Sequence, residues 1–205
     1  MTPDAEVRDA YALRAAEYSE LFGSIDAAAA IDRERVLAWA REVDGPILDV
    51  GCGPGQWTSF LSEHGLDVQG VDPVEAFVNE ARRRHPSVVY RIGDARGLDV
   101  ETASLGGVLA WFSLIHTEPD RIDGPLLEFA RCVRPGGGLA IGFCEGPELA
   151  PFDHAVTTAY FWPIGELSAR VEQAGFEVTA THARDEPGTR RQGMIVARRG
   201  ATQTH

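Results

Sequence analysis

Cysteine is scarce in this 205-residue chain, and Cys52, Cys132 and Cys144 form no Cys-x-x-Cys pair. An odd, scattered set excludes a disulfide framework and a zinc knuckle, and it points to a reducing, cytoplasmic setting. Basic side chains are also short: 19 against 31 acidic ones, a formal net charge of −12. A surface that acidic repels phosphate backbones, so nucleic acid held by charge is not an expected partner. A small anion held by backbone amides stays open. No apolar run approaches the roughly 18 residues of a membrane span, so no membrane partner is expected. Met1-Thr2-Pro3-Asp4-Ala5-Glu6 has neither the basic start nor the apolar block of a secretory signal. There is no internal repeat and no low-complexity tract.

What is present is the composition of a globular protein, 44 % hydrophobic and 24 % charged. At roughly 150 residues per domain, the length means one domain with a small appendage. Val7, Tyr11, Tyr18 and Leu21 fall near one helical face, which Gly23-Ser24 interrupts. Val36, Trp39, Ala40 and Val43 repeat at helical spacing until Asp44-Gly45-Pro46 stops them. Residues 1–44 thus read as an N-terminal helical unit, residues 45–199 as the core and residues 200–205 as a flexible tail. Within the core, strands are expected at residues 47–50, 68–71, 88–92, 105–112, 139–143, 176–181 and 193–197. Helices are expected along Val74, Phe77, Val78 and Ala81, over residues 121–133, and along Leu167, Val171 and Ala174. Short strands alternating with amphipathic helices make an α/β, Rossmann-like, mostly parallel sheet with helices on both faces. Such sheets bind ligands beyond the carboxyl ends of their strands, near the point where strand order reverses.

The residues after each strand therefore carry the functional reading. Gly51-Cys52-Gly53-Pro54-Gly55 follows the first strand and opens a helix. Three glycines in five positions permit positive φ angles and close backbone approach. The helix start offers free amides to a carboxylate or phosphate; a ligand-free tight turn is the plainer alternative. Asp72 lies 21 residues past Gly51, where a dinucleotide-type fold places its ribose-binding acid. Its alternative is a cap for the helix starting near Val74. Asp94, in Gly93-Asp94-Ala95, has the chemistry to accept from an adenine amine, and the Ala95 amide to donate to a ring nitrogen; spacing alone reads a polar turn. Trp111-Phe112 supplies aromatics that can wall a reacting centre. His116 is a candidate general base, or else a histidine at a helix start or in the core.

Taken together, these junctions resemble the class I S-adenosylmethionine-dependent methyltransferases, above all the small-molecule branch with the ubiquinone-biosynthesis-type and trans-aconitate-type enzymes. The segment from Ile47 through Asp49-Val50-Gly51 to Gly55 resembles the first family motif, and Val68-Gln69-Gly70-Val71-Asp72-Pro73 the second. Gly93-Asp94-Ala95 resembles the third, and Arg134-Pro135-Gly136-Gly137 the signature that follows a helix. The segment from Glu166 to Val178 resembles the penultimate helix and strand. The resemblance implies a seven-stranded sheet whose last strand is antiparallel and inserted between neighbours. It implies S-adenosylmethionine as cofactor, with Gly51, Cys52, Gly53 and Gly55 against its methionine part and Asp49 positioning its amino group through the loop. Asp72 would hold the ribose, Pro73 would lie by the adenine, Asp94 and Ala95 would read it, and Phe112 and Ser113 would flank the methyl-bearing end. The N-terminal helices match a lid, which makes Tyr11 and Tyr18 candidates to close over the sulfonium; the alternative is aromatics on a buried helix face.

The implied reaction is in-line methyl transfer to a small-molecule acceptor, with no metal, in a monomer or homodimer. His116 is the first candidate base and His154 the second, with Tyr18 beside the reacting centre. Residues 145–163, with Phe152, His154, Tyr160, Phe161 and Trp162, are expected to wall the acceptor pocket. Two other readings compete: a non-catalytic cofactor-binding module, and a nicotinamide-dependent oxidoreductase. The second needs Gly-x-Gly-x-x-Gly, and the chain has Gln56 where that pattern has its third glycine.

Overall fold

A computed structural model describes residues 3–186 and 188–200; of the expected tail, residues 201–205 lie outside the described residues. The chain opens with α1 (Pro3–Phe22) and α2 (Ala30–Glu42), then alternates β1 (Ile47–Val50), α3 (Gln56–Glu63), β2 (Val68–Asp72), α4 (Glu75–Arg84) and β3 (Tyr90–Ile92). It continues through β4 (Leu105–Trp111), α5 (Asp123–Cys132), β5 (Val133–Cys144) and a small hairpin of β6 (Ala150–Phe152) and β7 (Ala159–Phe161). It closes with α6 (Ile164–Gln173), β8 (Phe176–Arg184) and β9 (Gln192–Arg199).

Seven of the strands form one sheet in the order β3-β2-β1-β4-β5-β9-β8. Pairings are parallel from β3 to β5, whereas β9 runs antiparallel to both β5 and β8. The expected sheet, with its last strand inserted in reverse, is the one found. Alternate residues serve opposite faces. Leu48, Val108 and Ile141 join α5 and α6 through Leu126, Phe129, Leu167 and Val171. Ile47, Leu109 and Ala140 join α2 and α3 through Val36, Trp39, Trp57 and Leu61. Of the two N-terminal helices, α2 is thus part of a core layer, and only α1 stands apart from it.

Details differ from the sequence reading for local reasons. Leu21 is 61 % exposed, because α1 packs sparsely and meets α4 through aromatic rings instead. The fifth strand starts before Arg134-Pro135-Gly136-Gly137: Leu105 pairs with Val133 and Gly107 with Gly138, so the extra residues form a bulge inside the strand. The fourth strand ends at Trp111, since Phe112 turns to φ +56°. The expected helix over 121–133 is a 3₁₀ turn, Pro119–Arg121, followed by α5.

β1 has parallel neighbours on both sides, β2 and β4. The chain moves outward from it one way to β3, then returns to build the other side. The carboxyl ends of β1, β2 and β4 face the resulting crevice.

Candidate active site

A cavity of about 420 Å³ lies in that crevice, bordered by the ends of β1, β2, β3 and β4 and covered by α1. Its floor is the glycine loop. Gly51, Gly53 and Gly55 all have positive φ, at +75°, +54° and +88°. A Cβ on Gly51 would sit 2.2 Å from the Ser113 Cβ, so the loop after β1 and the turn after β4 approach as only a glycine allows.

The loop's amides are not free for a ligand. The N–H groups of Gly51 and Cys52 donate to the Val71 carbonyl, and that of Gly55 to the Cys52 carbonyl. Gly53 N–H donates to Asp72 Oδ2 at 2.9 Å, and Pro54 has no N–H. An anion cradle of free amides, open in the sequence, is therefore absent from residues 51–55. The loop offers bare backbone surface instead, which suits close packing and not a pyrophosphate.

Asp72 holds the start of α4 and also borders the cavity. Its Oδ1 accepts from Val74 N–H at 2.8 Å, steadying the start of α4, and Oδ2 accepts from Gly53, yet the residue borders the cavity. Each oxygen keeps a further lone pair for a ligand hydroxyl. Burial pushes its carboxyl up to about 6 against the two amides that lower it. Asp49 does not border the cavity. It accepts from Thr58 Oγ1 at 2.7 Å, tying the end of β1 to α3, and burial raises it to about 7. Cys52 and Gly55 also lie behind the cavity, against Tyr90.

Pro73, Asp94 and Ala95 form the next wall. Arg96 binds Asp94 through its backbone N–H at 2.9 Å and its guanidinium at 2.7 Å, which holds the carboxyl below its usual range. Opposite lies the aromatic end. Phe112 and Ser113 border the cavity, and the Ser113 hydroxyl is buried with no hydrogen-bond partner among the described residues. The left-handed Phe112 is strained backbone at the cavity wall, where such strain accompanies function.

Tyr11 and Tyr18 hang from α1 over this end. Their rings meet Phe77 of α4 at centroid distances of 5.9 and 5.2 Å. Phe77 is 3 % exposed and borders the cavity, although its helical spacing had marked it only as core. The Tyr11 hydroxyl lies 2.9 Å from His116 Nε2, and His116 Nδ1 lies 2.7 Å from the Thr158 carbonyl. A carbonyl only accepts, so Nδ1 carries the proton and Nε2 is bare toward Tyr11. Burial lowers the pKa of His116, keeping it neutral. No hydrogen bond joins Tyr18 to His116 among the described residues; Tyr11 makes that link.

Residues 145–163 do not border the cavity. They form the β6–β7 hairpin behind His116, where Phe152 stacks on Phe161 at 4.2 Å and His154 meets the His116 ring at 5.0 Å. Trp162 is in the main core. The hairpin folds onto the outer side of the turn after β4, so its aromatics support the wall from outside. Among the described residues there is no metal-holding cluster and no helix long and apolar enough to cross a membrane.

Residues 47–137 match a family model described as "Methyltransferase domain". A demethylmenaquinone methyltransferase of Beutenbergia cavernae is 34 % identical over 107 residues, covering 52 % of this chain and 44 % of that protein. An S-adenosyl-L-methionine-dependent Diels-Alderase of Talaromyces variabilis is 30 % identical over 117 residues, 53 % of this chain and 39 % of its own. The chain thus spans less than half the length of these relatives. Among solved structures, Burkholderia thailandensis 1,6-didemethyltoxoflavin-N1-methyltransferase, with 1,6-didemethyltoxoflavin and S-adenosylhomocysteine bound, superposes with a TM-score of 0.82. It is 22 % identical and covers 98 % of this chain and 92 % of its own. The matched segment contains the glycine loop, Asp72 and Asp94, and the fold carries the reversed last strand. Residues 47–137 thus resemble a methyltransferase domain, and the whole fold resembles that of a solved methyltransferase.

Proposed function

We propose that this protein transfers the sulfonium methyl group of S-adenosylmethionine to a small-molecule acceptor, with His116 taking the acceptor's proton. The observation that carries the reading is Asp72, which grips Gly53 of the glycine loop while facing the cavity.

The residues suit the cofactor. Gly51 and Gly53 present side-chain-free backbone for the methionine part. Asp72 has spare lone pairs for two ribose hydroxyls, and the orphan Ser113 hydroxyl needs a partner from a ligand. Pro73, Asp94 and Ala95 flank the space for adenine; Asp94 Oδ2 accepts one Arg96 bond at 2.7 Å and keeps a lone pair for an exocyclic amine. Asp49, Cys52 and Gly55 act indirectly by holding the loop. When bound, S-adenosylmethionine supplies an electrophilic methyl group.

The protein's own task is alignment, water exclusion and proton removal. Tyr11, Tyr18 and Phe112 narrow the reacting end, and α1 serves as the lid. Orienting the two reactants is worth roughly 7–11 kcal/mol of barrier. His116 accepts a proton at Nε2 once the Tyr11 hydroxyl yields its place to the acceptor. A small molecule is the acceptor class that suits a cavity of about 420 Å³ in a chain of net charge −12. The names of two relatives, a demethylmenaquinone and a didemethyltoxoflavin enzyme, support the same class.

A second reading is cofactor binding without methyl transfer, favoured by the similarity to a Diels-Alderase. Calorimetric titration with S-adenosylhomocysteine, with NADH as control, tests the first half. Micromolar binding of the former alone is expected; none would overturn the reading. Tritiated S-adenosylmethionine with a panel of phenols, quinols and heteroaromatic amines tests the second half. Tight cofactor binding with no transfer across the panel favours the non-methylating reading.

A further inference from the structure

His154 and Thr158 stand one layer outside the cavity, yet they hold one of its reactive groups. The Thr158 carbonyl sits 2.7 Å from His116 Nδ1. The His154 ring packs edge-on against His116, at 5.0 Å between centroids and 69° between planes. His154 Nδ1 accepts from Val156 N–H at 3.4 Å, so neutral His154 carries its proton on Nε2.

Cations tie the hairpin tip on both sides. Arg14 of α1 donates to the Ala155 carbonyl. Arg190, between β8 and β9, donates to the Asp153 carbonyl at 3.1 Å and lies over the Phe152 ring at 4.6 Å. The groups facing the histidine pair are thus Tyr11 and Arg14 from α1 and Arg190 from the far loop, with Cys144 at the end of β5 behind Tyr11. Burial, His116 and the two arginines push His154 down to about 4, so it brings no charge beside His116 at neutral pH.

We propose that the β6–β7 hairpin is a positioning element for His116, in which the Thr158 carbonyl holds the imidazole as its Nδ1–H tautomer and the His154 ring shields its outer face, leaving Nε2 as the atom that takes a proton. The inference rests on His116 as the base. It removes His154 from the role of a second base and makes it a positioning residue, since it touches neither cavity nor acceptor. A hairpin that only filled space would leave the tautomer and titration of His116 indifferent to it.

The test is nitrogen-15 histidine NMR on the whole chain, titrated from pH 8 to pH 4 with no cofactor or acceptor added. His116 is expected to show a protonated Nδ1 and a bare Nε2, and to titrate below the ordinary value of about 6.5. In His154→Ala its midpoint moves up toward that value as water reaches the ring; in His154→Phe, which restores the shield, it stays low. The signals of His85 and His182 report whether each variant is folded. An Nε2–H tautomer in the unmodified chain, or an unmoved midpoint in a folded His154→Ala, overturns the proposal. If that variant does not fold, the tautomer of the unmodified chain decides. The base reading fails separately, if His116→Gln methylates an acceptor at the full rate, and that result leaves the NMR outcome standing.

Discussion

The two ends of the cavity are built from different materials. The end at the glycine loop is backbone: three left-handed glycines, amides paired with β2 and within the loop, and one buried carboxylate binding Gly53 and Val74. Its parts lie close in sequence, from Asp49 to Val74. The reacting end is side chains brought from afar. Tyr11 and His116 are 105 positions apart, and His116 and Thr158 are 42 apart. A backbone cradle has no room for an added atom at Gly51, whereas a set of side chains tolerates substitution and so suits a changing acceptor.

The contrast orders the expected effects of mutation. Gly51→Ala is the most severe, because a Cβ must enter 2.2 Å from the Ser113 Cβ on a residue at φ +75°. A loss of about 2–4 kcal/mol in a denaturant melt, with no measurable S-adenosylhomocysteine binding, is expected. Wild-type stability in this variant would mean that the cradle is softer than its geometry. Asp72→Asn comes next. It keeps one acceptor but loses the charge, and it should weaken S-adenosylhomocysteine by about 1.5–3 kcal/mol in calorimetry. An unchanged affinity removes Asp72 from the ribose role.

Acidity gives a second handle on the same carboxylate. Burial raises Asp72 to about 6 and Asp49 to about 7, so the folded state holds these protons more tightly than the unfolded chain. The stability they contribute is fully present below about pH 4, and it is lost as pH rises through 6 and 7. Ribose hydroxyls donate to the ionised form, so ligand affinity should run the other way and fall about fivefold from pH 6 to pH 5. Parallel melting and calorimetry across this range check both signs. Tyr11→Phe is the mildest. It removes one neutral hydrogen bond, worth about 0.5–1.5 kcal/mol, and should leave cofactor affinity within threefold of wild type. A larger loss of affinity would join the two ends into one unit.

The glycine-loop end of the cavity was legible beforehand because its signals are local. Glycine spacing, an acid after the second strand and strand-helix alternation need only short windows of sequence. What escaped was what the loop amides bind. Those of Gly51, Cys52 and Gly53 donate to Val71 and Asp72 of the next strand, partners that no short window of sequence shows. Phe77 escaped for a related reason. Its spacing marks a buried helix face, and nothing in a period distinguishes a core contact from a cavity wall.

The hairpin is the clearest divide. Its aromatic density was visible in the residues, but its side of His116 was not, because that depends on how the chain returns after β5. The sequence by itself determined the sheet, the glycine loop and the acid at the end of the second strand, since backbone conformation and strand order follow from local chemistry. Only the tertiary structure decided that Tyr11 reaches His116, that the Thr158 carbonyl meets its Nδ1, and that the His154 ring packs against it. Those contacts join segments distant along the chain, and packing of the folded whole brings them within hydrogen-bond range.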